Sequence, residues 1–386
     1  MATDRGGFGR YLDDLDLSGL VGDAASADDR DVDRALTARR PGLDDLAVLL
    51  SPAATERVED LARRARELTL QRFGRAIRLF APLYVSNACL STCAYCGFSK
   101  DLLVNRRTLL PREVVKEAEL LRDRGFRSIL LVSGEHRVEV SPEYLIECVA
   151  RVGQVVPQVS LETQTWDEPV YERLVNAGIE GVVHYQETYD RDRYAEVHLR
   201  GWKRDFDRRL NAIESAAVAG VRRIGLGALL GLAPDWKADV IGLVAHGSWL
   251  QQHAWRAELT TSLPRLKPSA AGFPPQSVVS DREYVQALAA VRILLPEAGI
   301  VLSTREPVAL RDGLLRVCVT TMSAGSSTEP GGYGSPGEAQ EQFAISDERS
   351  PAEVSAAIAG AGYEPVWLDG FALAATAEVG SGQRRA

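Results

Sequence analysis

From about residue 82 onward, short apolar, β-branched runs recur along the chain. They are "PLYVS" (82–86), "SILLV" (128–132), "QVSL" (158–161), "GVVHY" (181–185), "RIGLGALL" (223–230), "ELTTSL" (258–263), "IVLS" (300–303) and "LRVCVTT" (315–321). Between most of them lie stretches of helical period, at 111–124, 141–154, 168–177, 206–219, 236–255 and 281–294. Short β-branched runs favour strands, and apolar positions three and four apart favour helices. Eight strands alternating with helices predict an α/β fold, a parallel (β/α)8 TIM-type barrel. In that architecture the chemistry sits where strands end, so the polar residues after each run are the candidates.

The segment before the first run is helical throughout. In "SPAATERVEDLARRARELTLQRFG" (51–74) Ser51 is placed to cap, Pro52 to occupy the first turn and Gly74 to end the helix. Acidic residues near its start and arginines towards its end suit the helix dipole. The expected division is a helical N-terminal extension (1–75), a barrel (76–345), and a C-terminal helix and tail packed on the barrel (346–386).

Composition narrows the classes. A net charge of −8 over 386 residues disfavours a nucleic-acid interface or a polybasic membrane anchor. No apolar run reaches the roughly 18 residues that span a bilayer. The first residues, acidic from Asp4, lack the apolar core of a secretory signal. Five cysteines are too few and too clustered for a disulfide framework, so a cytoplasmic protein with reduced thiols is expected.

Three of those cysteines, Cys89, Cys93 and Cys96, fall within eight residues directly after the first predicted strand. No fourth ligand stands at zinc-finger spacing, while soft thiolates suit iron–sulfur clusters. A [4Fe–4S] cluster on three thiolates keeps one iron open to a small chelating molecule. Cys148 and Cys318 fall in a predicted helix and strand and read as core residues. Other polar groups at strand ends are Glu162 and Gln164, then Gln186, Glu187 and Tyr189, then Arg305, Ser323 and Ser326. His184, within a strand, reads as structural. Arginine's planar fork makes Arg305 suited to a carboxylate.

The cysteine spacing, with Tyr95 before the last thiol, resembles the radical S-adenosylmethionine superfamily. The resemblance implies that the open iron chelates S-adenosylmethionine. It also implies that Ser133, Gly134 and Glu135 grip its amino group, that Gly225 and Gly227 contact adenine, and that Tyr95 faces the adenine. Gln186, Glu187 and Glu162 would serve its ribose or the substrate.

A closer resemblance runs in order from residue 49 to 367. "LLSPAA", "LYVSNACLSTCAYCGFS", "LLVSGEH", "YQETY", "IGLGALLGL", "WLQQHAW", "LPRLKP", "LSTRE", "PGGY" and "PVW" are similar to the 2-iminoacetate synthase family. The resemblance implies cleavage of the Cα–Cβ bond of L-tyrosine to p-cresol and 2-iminoacetate, for the thiazole of thiamine. Arg305 and Ser323 would hold the carboxylate, and Tyr84 would lie near the amine. The implied partners are a thiazole synthase subunit and a flavodoxin- or ferredoxin-type reductant. The chain departs from the family pattern at Gly325 and at "LETQTW" (161–166), and a smaller residue near the pocket would admit an indole. A tryptophan lyase therefore stays open beside the tyrosine reading, as does a non-catalytic barrel subunit of thiazole synthase.

Overall fold

The computed structural model describes residues 7–368. Eight parallel strands close a barrel: β1 (Ala76–Ser86), β2 (Ser128–Ser133), β3 (Gln158–Glu162), β4 (Gly181–Glu187), β5 (Arg223–Ala228), β6 (Glu258–Ser262), β7 (Gly299–Leu302) and β8 (Thr321–Ser323). Each pairs with the next in sequence, and β1 closes the ring by pairing with both β8 and β2. The 11-residue length of β1 makes this possible. Its first third also carries a ninth strand, β9 (Glu364–Val366), through Ala76 opposite Glu364. The segment after residue 345 thereby adds a strand to the barrel sheet as well as the helix Pro351–Gly360.

Strand alternation sorts the side chains into two sets. One set points outward against the helices: Ile129, Leu131, Val159, Leu161, Val182, Ile224 and Leu226 join the continuous apolar core. The other set faces the barrel interior, which contains two cavities. The lower is lined by polar groups including Gln158, Ser160 and Thr260, and the upper opens at the strands' C-terminal ends. Phe80, Leu130, Tyr185 and Val301 border both.

Two expected elements differ. The run 315–321 is not a strand: the helix Val308–Leu314 leads into it, and Cys318 and Val319 return their N–H groups to the Leu314 carbonyl. Only Thr321 belongs to β8, which continues to Ser323. Cys318 and Val319 are apolar because they are buried, and a short apolar run looks alike in a strand or a buried helix end. The helix expected over 51–73 breaks at Arg57 into Pro52–Glu56 and Val58–Phe73. The Arg57 guanidinium there bridges Asp60 and Asp33, 2.8 and 2.7 Å away, joining two parts of the helical extension. Ser51 does cap, accepting from the Ala54 N–H, and Gly74 ends the second helix at φ +63°. The tail beyond residue 368, expected to pack on the barrel, lies outside the described residues.

After β8, residues 324–350 run as a strap without helix or strand across the upper mouth. Its far end is fixed by an ion pair: Asp347 meets Arg311 and Arg349, and the Arg311 and Asp347 side chains are wholly buried. Arg311 also donates to the Ser323 carbonyl, tying the strap to the end of β8. Removing one partner of a buried pair strands the other charge, at about 3–5 kcal/mol. Asp347→Ala is expected to lower unfolding stability by that amount in a urea titration. A loss of less than about 1 kcal/mol, the range of a surface pair, would mean that this ion pair does not anchor the strap.

Candidate active site

β1 ends at Ser86, and the next twenty or so residues loop over the upper mouth before the helix Pro111–Asp123. A loop of this length needs internal ties. The Arg106 guanidinium supplies several, donating to the carbonyls of Asn87, Phe98, Ser99 and Leu102. The Asn87 amide donates to the carbonyls of Asn105 and Gln340 and accepts from the Arg107 N–H. The segment after β4 clamps the outer side. Ala94 N–H donates to Val197 and Thr92 N–H to Arg200, at 2.9 and 3.0 Å. Gly201, at φ +91°, lies so close to Ser91 that a Cβ would fall 2.4 Å from its hydroxyl.

This loop holds Cys89, Cys93 and Cys96 against one another. Burial pushes the Cys89 thiol up to about 12, and Glu135 and Cys96 add to the effect. Burial also raises Cys93 far above the usual thiol range, with Lys203 opposing and both other thiols contributing. Cys96 is raised by burial, and the Phe98 N–H works against the rise. Three thiols raised by desolvation, Cys93 buried and Cys89 and Cys96 half-buried, call for a cationic centre if they are to ionise together. Among the described residues no group of three or more His, Cys, Asp and Glu side chains is disposed to hold a single metal ion. A soft, all-thiol donor set fits a multi-iron cluster.

A charged wall adjoins the thiols. Glu135 accepts from the Ser91 hydroxyl at 3.0 Å and from Arg209 at 3.1 Å, and Arg209 also donates to the Tyr185 carbonyl. Gly134 lets this turn touch the cysteine loop, since a Cβ there would lie 2.4 Å from the Ala88 oxygen. Beside it the Ser133 hydroxyl is buried without a partner. Glu187 sits at φ +72°, the one non-glycine residue at positive φ among those described. Its carboxylate lies 2.6 Å from Lys203 Nζ. Burial opposes charge on both, but each holds the other ionised, so Glu187 titrates below and Lys203 above the ordinary value. Glu162 differs: burial, with Glu187 adding, pushes its carboxyl up to about 7.

The upper cavity joins this wall to a second set of groups. The Tyr84 hydroxyl donates to Gln342 Oε1 at 2.7 Å, and its ring meets Phe98 edge-on. Arg305 stacks its guanidinium on Phe343 at 3.3 Å and has no carboxylate partner among the described residues. Ser323 Oγ accepts the Thr304 N–H, which leaves its own proton available, and Ser326 Oγ is buried and unpartnered. Tyr95 lines the same cavity and bonds His198 at 2.9 Å.

Comparison with known proteins agrees with this arrangement. Residues 83–239 match the radical SAM superfamily, and residues 262–364 match the biotin and thiamin synthesis associated domain. The chain is 41% identical to the 2-iminoacetate synthase of Escherichia coli (strain K12), over 88% of this chain and 90% of that one. The chain belongs to the 2-iminoacetate synthase family. The enzyme of that name from Salmonella typhimurium is 40% identical over the same shares. Among solved structures, the FeFe-hydrogenase maturase HydG from Carboxydothermus hydrogenoformans superposes with a TM-score of 0.85 at 33% identity, covering 94% of this chain and 84% of that one. The cofactors of a 2-iminoacetate synthase, a [4Fe–4S] cluster and S-adenosylmethionine, are accordingly those of this chain. The thiol donor set, the unpartnered Ser133 hydroxyl and the glycine cradle at Gly134 fit them.

Within this 2-iminoacetate synthase fold, several expected residues stand elsewhere. Gln186 points out of the barrel and donates to the Phe206 carbonyl. Tyr185 and Glu187 on either side take the inward positions, because side chains alternate along a strand. His184 shares the outward side and bonds Tyr171, as a structural residue should. Tyr189 is buried against His246 and Asp239 rather than at the mouth. Gln164 braces the loop after β2 through His136 N–H and the Val140 carbonyl. Gly225 lines the lower cavity, and Gly227 makes room for the Tyr185 ring, which a Cβ would approach to 2.4 Å. Neither lines the upper cavity, where Leu229 stands instead. Lys203, Arg209 and Gln342 were not foreseen. A buried cation carries no local signal, because solvated lysines and arginines look the same in sequence.

Glu162 has a measurable consequence. Its pKa in the folded chain lies above its ordinary value of 4.5, so between there and about 7 the folded chain keeps a proton that the unfolded chain has lost. Stability therefore falls as pH rises through that window. Glu162→Gln is expected to remove this part of the decline, seen as a flatter plot of urea midpoint against pH. Parallel plots for parent and variant would show that Glu162 ionises normally.

Proposed function

We propose that this chain cleaves the Cα–Cβ bond of L-tyrosine, releasing p-cresol and 2-iminoacetate for the thiazole of thiamine. The observation that carries the reading is Arg305, a guanidinium without a carboxylate partner among the described residues, in a cavity that also contains Tyr84 and Cys96. A half-buried cation of this kind suits an amino-acid carboxylate, and stacking on Phe343 fixes its plane for a two-pronged contact. Ser323 donates a second hydrogen bond to the same carboxylate. The Tyr84 hydroxyl, its proton already given to Gln342, faces the substrate ammonium as an acceptor.

Cys89, Cys93 and Cys96 hold the cluster. Ser133, Gly134, Glu135, Tyr95, Glu162 and Glu187 would surround S-adenosylmethionine, with Lys203 paired to Glu187 and Arg209 to Glu135. When bound, these cofactors supply one-electron reductive cleavage and hydrogen-atom abstraction from the substrate. The residues' own task is to place the substrate backbone beside the cofactors and exclude water, which the cysteine loop and strap accomplish by covering the mouth.

Of the positions where the chain departs from the family pattern, Gly325 and the stretch 161–166, Glu162 lines the cavity, whereas Gly325 and Trp166 do not. Gly325 lies at φ +53° against Pro351, where a Cβ would come within 2.9 Å. Trp166 is buried beneath Arg137, and its backbone N–H donates to the Tyr171 hydroxyl. Neither enlarges the pocket for an indole, which favours tyrosine. An imine hydrolyses in water, which supports direct transfer to a thiazole synthase subunit. One-electron chemistry calls for a flavodoxin- or ferredoxin-type donor, and reduced thiols suit a cytoplasmic setting. No described helix is long and apolar enough to cross a membrane.

Anaerobic turnover with tyrosine and tryptophan in competition tests the reading: p-cresol is expected, and exclusive formation of 3-methyl-2-indolic acid would overturn it. Arg305→Ala should keep the cluster while weakening tyrosine binding by about 1.5–3 kcal/mol, roughly 10- to 150-fold. Cys93→Ala should abolish 5′-deoxyadenosine formation, and continued turnover would remove Cys93 from the ligand set.

A further inference from the structure

The strap over the mouth approaches the cysteine motif more closely than loop packing requires. The Gly97 N–H donates to the Gln342 carbonyl, and a Cβ at Gly97 would sit 2.6 Å from that oxygen. The residue after Cys96 must therefore be glycine for the strap to lie where it does. Gln342 N–H in turn donates to the Thr328 carbonyl at 3.0 Å, and the Thr328 hydroxyl donates to the Phe343 carbonyl at 2.9 Å. These ties fix two consecutive side chains, each of which meets a group facing the cavity. Phe343 lies under Arg305, and Gln342 lies between Tyr84 and Cys96.

The Gln342 amide spans a hydroxyl and a sulfur. Its Oε1 is 2.7 Å from the Tyr84 hydroxyl and its Nε2 is 3.9 Å from Cys96 Sγ. Among the described residues it is the one side chain that hydrogen-bonds a motif thiol; the Phe98 backbone N–H, at 3.4 Å, is the other donor to Cys96. A metal-bound thiolate only accepts, so the NH2 end must face it and the oxygen must face Tyr84. That orientation commits the Tyr84 proton to Gln342. It also places an N–H dipole on the sulfur, and such donors stabilise the more negative, reduced state of a cluster.

We infer that Gln342 is a positioning residue that couples the substrate side of the cavity to the cluster, holding Tyr84 as a hydrogen-bond acceptor and raising the cluster's reduction potential through Cys96. The inference rests on the reading that Cys96 is a cluster ligand. Gln342→Met keeps the length of the side chain but can neither donate to sulfur nor accept from Tyr84. At equal iron per chain, an EPR-monitored redox titration of the reconstituted variant is expected to give a lower midpoint potential than the parent. Equilibrium dialysis should show tyrosine bound several-fold more weakly. A midpoint unmoved or raised at equal iron would overturn the inference. A second measurement needs no substitution. With glutamine 15N-labelled at its side-chain amide, the reduced parent holoenzyme should show a nitrogen coupling to the cluster by pulsed EPR, and its absence would overturn the inference too. A parent chain that takes up no iron would instead defeat the cluster reading, so the two failures are distinct.

Discussion

Three thiols buried beside a carboxylate-bearing wall can ionise only against positive charge, and much of the upper mouth is built around that constraint. Burial raises all three, and repulsion from neighbouring thiols adds to it at Cys89 and Cys93. Lys203 opposes the effect at Cys93 and Cys96, but it is already paired with Glu187, so three thiolates call for the positive charge of a metal centre. The loop that carries the thiols is stiffened accordingly, by an arginine spanning its carbonyls and by backbone bonds to the segment after β4. A looser loop would let water and rotamer freedom relieve the repulsion and would forgo the site.

The barrel supplies the second ingredient, a strict division of side chains by strand phase. Glu187 reaches the cavity and Gln186 does not, although they are neighbours, because one residue along a strand reverses the facing. The β4–β5 register shift between Tyr185 and Glu187, with positive φ at Glu187, aims that carboxylate at Lys203. A non-glycine residue at positive φ is costly, and its position beside a buried ion pair at the strand's end is where such strain is tolerated for a purpose. The glycines of β5 have a packing role in the same scheme: Gly227 gives space to Tyr185 at the boundary of the two cavities, and Gly225 to Val183 and Thr260.

The strap adds what the barrel strands cannot, a cover that contributes Gln342 and Phe343 to the cavity while its far end is anchored by Asp347 between two arginines. Cover, substrate groups and cysteine motif are thus one mechanical unit. Gly325 and Trp166 fall outside that unit, whereas Glu162, from the same departing stretch 161–166, lines the cavity with Tyr84, Phe343 and Arg305.

The sequence by itself determined the barrel, because apolar period and strand–helix alternation are local properties, and it determined the cysteine loop, because three thiols within eight residues cluster through their spacing alone. It also placed Glu135, Arg305 and Ser323 at strand ends, where a barrel puts its chemistry. The tertiary structure alone decided which of two adjacent residues faces inward, as at 186 and 187, since the phase depends on where pairing begins and where a bulge intervenes. It alone decided that most of "LRVCVTT" is a turn leading into β8, since apolar composition reports burial and not backbone shape. Lys203, Arg209 and Gln342 entered the site only through long-range packing, from a clamp after β4, a helix and a strap. Their roles depend on burial against groups far away in the chain, a property that no local pattern of residues encodes.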